Sequence, residues 1–375
     1  MIHQAPFDRD VAVVCSVGNQ PNPTVIAMKV IGAALSRVVL VHGGSRSADV
    51  AKTVERYLRI HFPAVRVDSI GLSDPFTSAA IGEVREKVLP LLAGRPLAGW
   101  QLLYGPGTAS MNVALAALWI VEQPQNVWSL STRDLLLTNG GGASLPVPIQ
   151  CRLDIVEQVE MRTGSLVERD SAQPNDAPLN RGERIWVANW IQSWSRQPIK
   201  RAGPTPANQP LGDLFERTVR DVLSGLVGAG AVVNRGVRLT FPEGGQRREI
   251  DVVVEDVDSG RLTVVSCAQR KGFLSKDRTH MRNKANEVRT LAGNLFGSEC
   301  QSLAVILNTI PLMGRAVVDT VRHDGIVRNG LTERHWVVSA QELLGSRPEA
   351  VLRTFDEPAS VLERLPDLRR WLIGE

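Results

Sequence analysis

Seven consecutive residues, Val11 to Val17 (VAVVCSV), carry no charge, and only Ser16 among them is strongly polar; the run stops at Gly18. A strand this apolar needs cover on both faces, the situation of strands in parallel sheets. Similar runs follow at Val38 to Val41, Val65 to Ile70 and Trp100 to Tyr104. Helical patterns at Thr24 to Leu35, Ala48 to Ile60, Thr77 to Leu92 and Ala109 to Val121 separate them. Strand and helix in alternation predict a doubly wound α/β domain, in which ligands bind beyond the carboxyl ends of the strands.

Those strand ends are unusual. The first runs Ser16, then Gly18-Asn19-Gln20-Pro21-Asn22-Pro23. The second closes on His42-Gly43-Gly44-Ser45. The fourth gives Gly105-Pro106-Gly107-Thr108-Ala109-Ser110-Met111. None is the GxGxxG dinucleotide fingerprint. A Gly-rich loop entering a helix offers free N–H groups to phosphate oxygens, with the Thr108 and Ser110 hydroxyls beside them. Each loop alone fits an ordinary tight turn as well.

Taken together, the three strand ends over residues 8 to 165 resemble the CARF domain, the sensor of cyclic oligoadenylates in type III CRISPR defence. Gly107, Thr108 and Met111 match its second loop; Ala109 stands where that family often has lysine. The resemblance implies a Rossmann-like fold and a cyclic oligoadenylate activator, with cyclic tetra-adenylate favoured. It implies binding by Ser16, Gly18, Asn19, Gln20, Asn22, Ser45, Gly105, Pro106, Gly107, Thr108, Ala109 and Met111. A symmetric ring also suits a two-fold interface, so a homodimer is implied.

The join between the halves is less regular. Ser129 to Leu136 and Val147 to Val159 are expected as strands around Asn139-Gly140-Gly141-Gly142. Trp186, Trp190 and Trp194, four apart, predict one face of a helix suited to core or dimer packing. Four prolines between Pro198 and Pro210 mark a linker. The division expected is 1–165 sensing domain, 166–207 connecting segment, and 208–375 second domain.

The second half begins with an amphipathic helix, Leu211 to Leu226, followed by strands. Ile250 to Glu255 and Leu262 to Cys267 predict a hairpin around Asp258-Ser259-Gly260. Arg278 to Phe296 predicts a helix, Leu303 to Leu307 a strand, Met313 to Val321 a helix and Trp336 to Val338 a strand. Residues 208 to 345 in this order resemble the PD-(D/E)xK nuclease core, a restriction-endonuclease-like α/β fold. The resemblance implies cleavage of DNA and/or RNA with Mg²⁺ or Mn²⁺. Asp251 would be the central metal ligand, Glu216 the ligand from the first helix (Asp213 is the weaker option), and the Cys267 carbonyl a third.

One departure matters. Where the family has Glu-x-Lys, this chain has Ser266-Cys267-Ala268. Alternation puts Ser266 and Ala268 on one strand face; Gln269 and Lys271 share the other unless a bulge intervenes. Three accounts fit: natural loss of the lysine, a Lys→Ala replacement, or transfer of its role to Lys271 with Gln269. Loss is favoured, so cleavage is expected to be impaired at Ala268. A non-catalytic sensor that binds or sequesters the ring is the alternative.

The net charge of +4 permits a polyanionic partner without demanding one. Four cysteines lack metal spacing, and no apolar run has membrane length. A cytoplasmic setting without membrane contact is expected.

Overall fold

The computed structural model describes residues 7, 10–119, 123–131, 136–148, 151–170, 177–194, 211–257, 261–270, 275–296, 300–308 and 334–373. For 193–194, 269–270, 275–282 and 308 it describes the backbone alone. The chain is mixed α/β with two mixed sheets, in two compact units, Met1–Ser165 and Leu166–Glu375.

In chain order the first unit holds β1 (Val11–Ser16), α1 (Asn22–Ile31), β2 (Leu35–Gly43), α2 (Gly44–His61), β3 (Arg66–Leu72), α3 (Ala79–Lys87), α4 (Leu89–Leu92), β4 (Trp100–Tyr104) and α5 (Ala109–Trp119). Then come β5 (Val127–Ser131), β6 (Leu136–Asn139), β7 (Ser144–Pro146) and α6 (Ile155–Thr163). The strand order is β3-β2-β1-β4-β5-β6-β7; the first five are parallel and the last two antiparallel. Val13, Cys15 and Val17 face one core with α1 and α2. Ala12 and Val14 face another with α3 and α5. This is why β1 tolerates no charge.

Two local expectations are corrected. Thr77 to Leu92 is not one helix: it breaks before Leu89-Pro90, where proline supplies no N–H to the preceding turn. Val147 to Val159 is not a strand. Asp154 and Glu157 form a reciprocal capping box that starts α6 at Ile155. The triple-glycine loop is the β6–β7 turn; the Asn139 side chain accepts from the Gly141 and Ala143 N–H groups at 3.1 and 2.8 Å.

The second unit holds β8 (Glu168–Arg169), α7 (Arg181–Trp194), α8 (Leu211–Val227), β9 (Ala231–Phe241), β10 (Gln246–Asp256), β11 (Leu262–Arg270), α9 (Ser275–Phe296), β12 (Gln301–Asn308), β13 (His335–Ser339), α10 (Ala340–Leu344), α11 (Pro348–Asp356) and α12 (Leu368–Ile373). Its sheet runs β13-β12-β11-β10-β9-β8. β11, β12 and β13 are parallel, while β8 to β11 pair antiparallel in succession. The expected helix at Met313 to Val321 lies outside the described residues.

α8 packs on the face that carries Val252, Val254, Val265 and Cys267. α7, which the sequence placed in a connecting segment, belongs to this same core through Val187, Trp190 and Ile191. Trp190 stacks on Trp186 at 5.6 Å and meets Phe215 edge-on at 6.2 Å, so two of the three tryptophans serve packing. α9 crosses from β11 to the parallel β12 and packs on both. It takes no part in the core beneath α8, and therefore covers the opposite face, which carries Ala268.

Candidate functional site

In the first unit the chain leaves β1 in one direction, towards β2 and β3, and returns on the other side through β4 and β5. The carboxyl ends of β1 and β4 thus flank the topological switch point, where open α/β sheets bind ligands. Two glycine loops meet there. A Cβ on Gly18 would sit 1.5 Å from the Pro106 carbonyl oxygen, so only glycine lets the loops close together. Gly105 has φ +125°, a conformation that also requires glycine.

Buried side chains hold this junction. Ser16 donates to Asn112 Oδ1 at 2.6 Å and accepts from the Gly107 N–H at 3.2 Å. Asn112 donates to the Gly107 carbonyl at 3.1 Å and accepts from the Gly105 N–H at 3.3 Å. Ser16 therefore positions the loop instead of offering its hydroxyl to a ligand. Asn112 is a site residue that sequence reasoning missed; an Asn one residue past Met111 on an apolar helix is its only sequence signal.

Other expected ligand residues divide. Asn19, Gln20, Ser45, Gly105 and Ala109 are exposed, while Asn22, Pro106 and Gly107 are half-buried around the same strand ends. Met111 is corrected: it is 1% exposed in the core with Leu115 and Trp119, because it turns to the inner face of α5. The hydroxyls of Thr108 and Ser110 are corrected too. Thr108 donates to the Pro75 carbonyl, and Ser110 donates to that of Phe76 at 2.8 Å. They tie α5 to the 73–78 loop.

In the second unit the β10–β11 ladder is regular from Glu255↔Leu262 to Val252↔Val265 and then stops. Continued by one pair, it sets Asp251 opposite Ser266 on one face, with Glu249 and Ala268 in the same file. On the other side of β10 the pairing also skips Asp251, where Gly236 adopts φ +58°. The sheet is thus irregular on both sides of Asp251, and its carboxylate takes up the freed backbone. The Cys267 N–H donates to Asp251 Oδ2 at 2.7 Å, and the Ser266 hydroxyl donates to the same oxygen at 3.2 Å. A strand residue turns its N–H and C=O to the same neighbour, so the Cys267 carbonyl also faces β10.

Glu216, on α8, lies close enough to feel Asp251. Burial first, and then the Asp251 charge, push its carboxyl up to about 7; Arg235 pulls it down. Burial also raises Asp251, against the Cys267 N–H, the Ser266 hydroxyl and the Lys284 charge, which lower it. Asp213 is ion-paired with the buried Arg235 and is not the second carboxylate of this pair. Ser266 is half-buried and Ala268 is 6% exposed.

The register of β11 on β12 is unbroken through Arg270, so no bulge brings Gln269 to the face of Asp251. That removes the geometric basis for a Gln-x-Lys substitute. Lys271 itself lies outside the described residues.

Among the described residues, no three His, Cys, Asp or Glu side chains gather as a metal site. The donors present are two carboxylates and a strand carbonyl. They fit Mg²⁺ or Mn²⁺, hard cations that accept one or two carboxylates and keep several waters. The raised protonation of both acids is the mark of negative charge crowded without a counter-ion.

No family model matches the sequence, and no curated protein matches it. Solved structures do. Can2 from Sulfobacillus thermosulfidooxidans, in complex with cyclic tetra-adenylate, is 14% identical with a TM-score of 0.58, covering 94% of this chain and 99% of its own. Protein VC1899 from Vibrio cholerae is 10% identical with a TM-score of 0.59 over the same shares. A type III CRISPR defence DNA nuclease activated by cyclic oligoadenylate is 18% identical with a TM-score of 0.51, covering 80% of this chain and 46% of its own. At these identities the common property is the fold, and the first two share it along nearly their whole length.

Proposed function

We propose that this chain is a cyclic oligoadenylate-activated, metal-dependent nuclease of type III CRISPR defence. Its first unit is a Rossmann-like CARF domain, and its second a PD-(D/E)xK core. The observation that carries the catalytic half is the meeting of Glu216 and Asp251, from two separate elements, where the β10–β11 ladder opens. The sensing half is supported by the switch-point junction of Gly18 with Pro106, and by likeness to a structure that holds cyclic tetra-adenylate. The activator is a cyclic oligoadenylate, cyclic tetra-adenylate first; the substrate is DNA and/or RNA; the working form is a homodimer. No helix among the described residues is long and apolar enough to cross a membrane.

Glu216, Asp251 and the Cys267 carbonyl would hold Mg²⁺ or Mn²⁺. When bound, the cation polarises the phosphoryl oxygen and makes a bound water more acidic. Asp251 is anchored by Cys267 and Ser266, so it enters the site pre-oriented. β11 adds no charge of its own at 266 or 268. Cleavage that depended on this strand alone would be impaired, on the order of 10²–10³ for one missing charge-stabilising group. That absence also favours the second reading, a non-catalytic sensor. Calorimetry with cyclic tetra-adenylate and cyclic hexa-adenylate tests the sensing half; no heat with either ring would contradict it.

Acidity provides a separate check. Folded Glu216 keeps its proton up to about 7, whereas an ordinary glutamate loses it near 4.5. Between those values the folded state binds more protons, so metal-free stability falls as pH rises through this window. A divalent cation binds the ionised carboxylates and offsets that loss. The expected result is a metal-free Tm lower at about pH 8 than at about pH 5, with Mg²⁺ raising Tm chiefly at the higher value. A Mg²⁺ effect equal at both would contradict the assignment.

A further inference from the structure

We infer that Lys284, on α9, supplies the positive charge at the scissile phosphate that β11 lacks; the inference rests on the nuclease reading above. Three observations converge on it. The first is the face. Asp251, Ser266 and Ala268 fall on the side of the sheet opposite Val252, Val265 and Cys267, which pack beneath α8. α9 covers that side. Ala285, Val288, Ala292 and Leu295 are its buried residues. Lys284 is one turn before Val288, at the border of this inward stripe, and is half-buried.

The second observation is the level. α9 links two parallel strands, so it runs back antiparallel to β11. Lys284 is nine residues into the helix, a rise of about 14 Å from Ser275. Ser266 is four residues back from the end of β11, about 13 Å from Arg270. The lysine therefore stands over the Asp251–Ser266 level of the sheet. The third is charge: Lys284 is the cation that acts on Asp251.

Its present partner does not hold it. Lys284 Nζ pairs with Glu287 at 2.8 Å across one helical turn, with 40% and 63% of the side chains exposed. Surface pairs of this kind are readily exchanged for a phosphate. The long side chain can then reach forward over Ala268, whose small size leaves room where the family's strand lysine would stand. In hydrolysis a water oxygen forms the new bond to phosphorus and one P–O ester bond breaks. A proton from the water ends on the leaving oxygen through solvent. Lys284 remains an ammonium throughout, donating hydrogen bonds to a non-bridging phosphoryl oxygen as charge builds there.

The test uses the full chain with cyclic tetra-adenylate, Mg²⁺ or Mn²⁺, and single-stranded and duplex substrates. Lys284→Ala is expected to lower kcat by on the order of 10²–10³ with KM little changed. Glu287→Ala, which removes the ion pair but keeps the ammonium, should leave kcat intact. Adding Ala268→Lys to Lys284→Ala should recover activity, which a merely structural role for Lys284 would not allow. If the unaltered chain cuts, Asp251→Asn is inert and Lys284→Ala cuts normally, this inference is overturned and the nuclease reading stands. It is likewise overturned, with the nuclease reading intact, if the unaltered chain is inert but Ala268→Lys cuts. If neither cuts, the nuclease reading falls and takes this inference with it.

Discussion

Asp251→Asn is expected to abolish activator-dependent cleavage while leaving the fold and the activator affinity in place. Asn keeps the size and one oxygen, so the Cys267 and Ser266 hydrogen bonds can persist. It cannot keep the negative charge. Loss of a cation ligand removes the polarised phosphoryl oxygen and the activated water together. The fall in kcat is therefore at least about 10³, beyond that for a single charge-stabilising group. The Mg²⁺-dependent rise in Tm should vanish with it. Unfolding should become harder, since the buried carboxylate whose ionisation the site opposes is gone. Cleavage surviving in Asp251→Asn would place the chemistry elsewhere.

The second large effect is expected at Gly18. In Gly18→Val the new Cβ meets the Pro106 carbonyl oxygen at 1.5 Å and its carbon at 2.6 Å. These are backbone atoms, so no side chain can swing aside. The β1 and β4 loops must separate, and the Ser16–Gly107 bond breaks with them. A displacement of about 1 Å at a positioned group typically costs on the order of 10² in function. Cyclic tetra-adenylate affinity should fall by that order, read by calorimetry. The Mg²⁺-induced rise in Tm should remain, because Asp251 and Glu216 belong to the other compact unit. Unchanged affinity in a folded Gly18→Val protein would move the ligand away from the switch point.

Much of this is legible in the chain. β1 to β4 announce themselves because strands covered on both faces must be apolar throughout, and β4 matches its expected span. Parity along β11 correctly groups Ser266 with Ala268 and excludes Gln269, since alternation is a local rule that an unbroken register preserves. What escapes is long-range or sits on helices. Met111 matches a motif position, but helical phase turns it into the core. Asn112 matters only because Ser16 lies across the sheet from it. Lys284 is one basic residue among many on a long helix; its meaning comes from the level at which α9 crosses β11. α6 is hidden because the apolar run at Val147 to Val159 outweighs the Asp154–Glu157 cap. α10, α11 and α12 close the second core through Leu343, Leu344, Val351, Leu368 and Leu372, and their amphipathic stretches are too short to stand out in the sequence.

One single-turnover experiment tests the central claim most directly. The full chain is mixed with labelled DNA or RNA and Mn²⁺, with and without cyclic tetra-adenylate, beside Asp251→Asn and a chelator control. The account predicts cleavage that needs the ring, the metal and Asp251 together. Cleavage indifferent to any one of the three, or none from either the unaltered chain or Ala268→Lys in their presence, would contradict it.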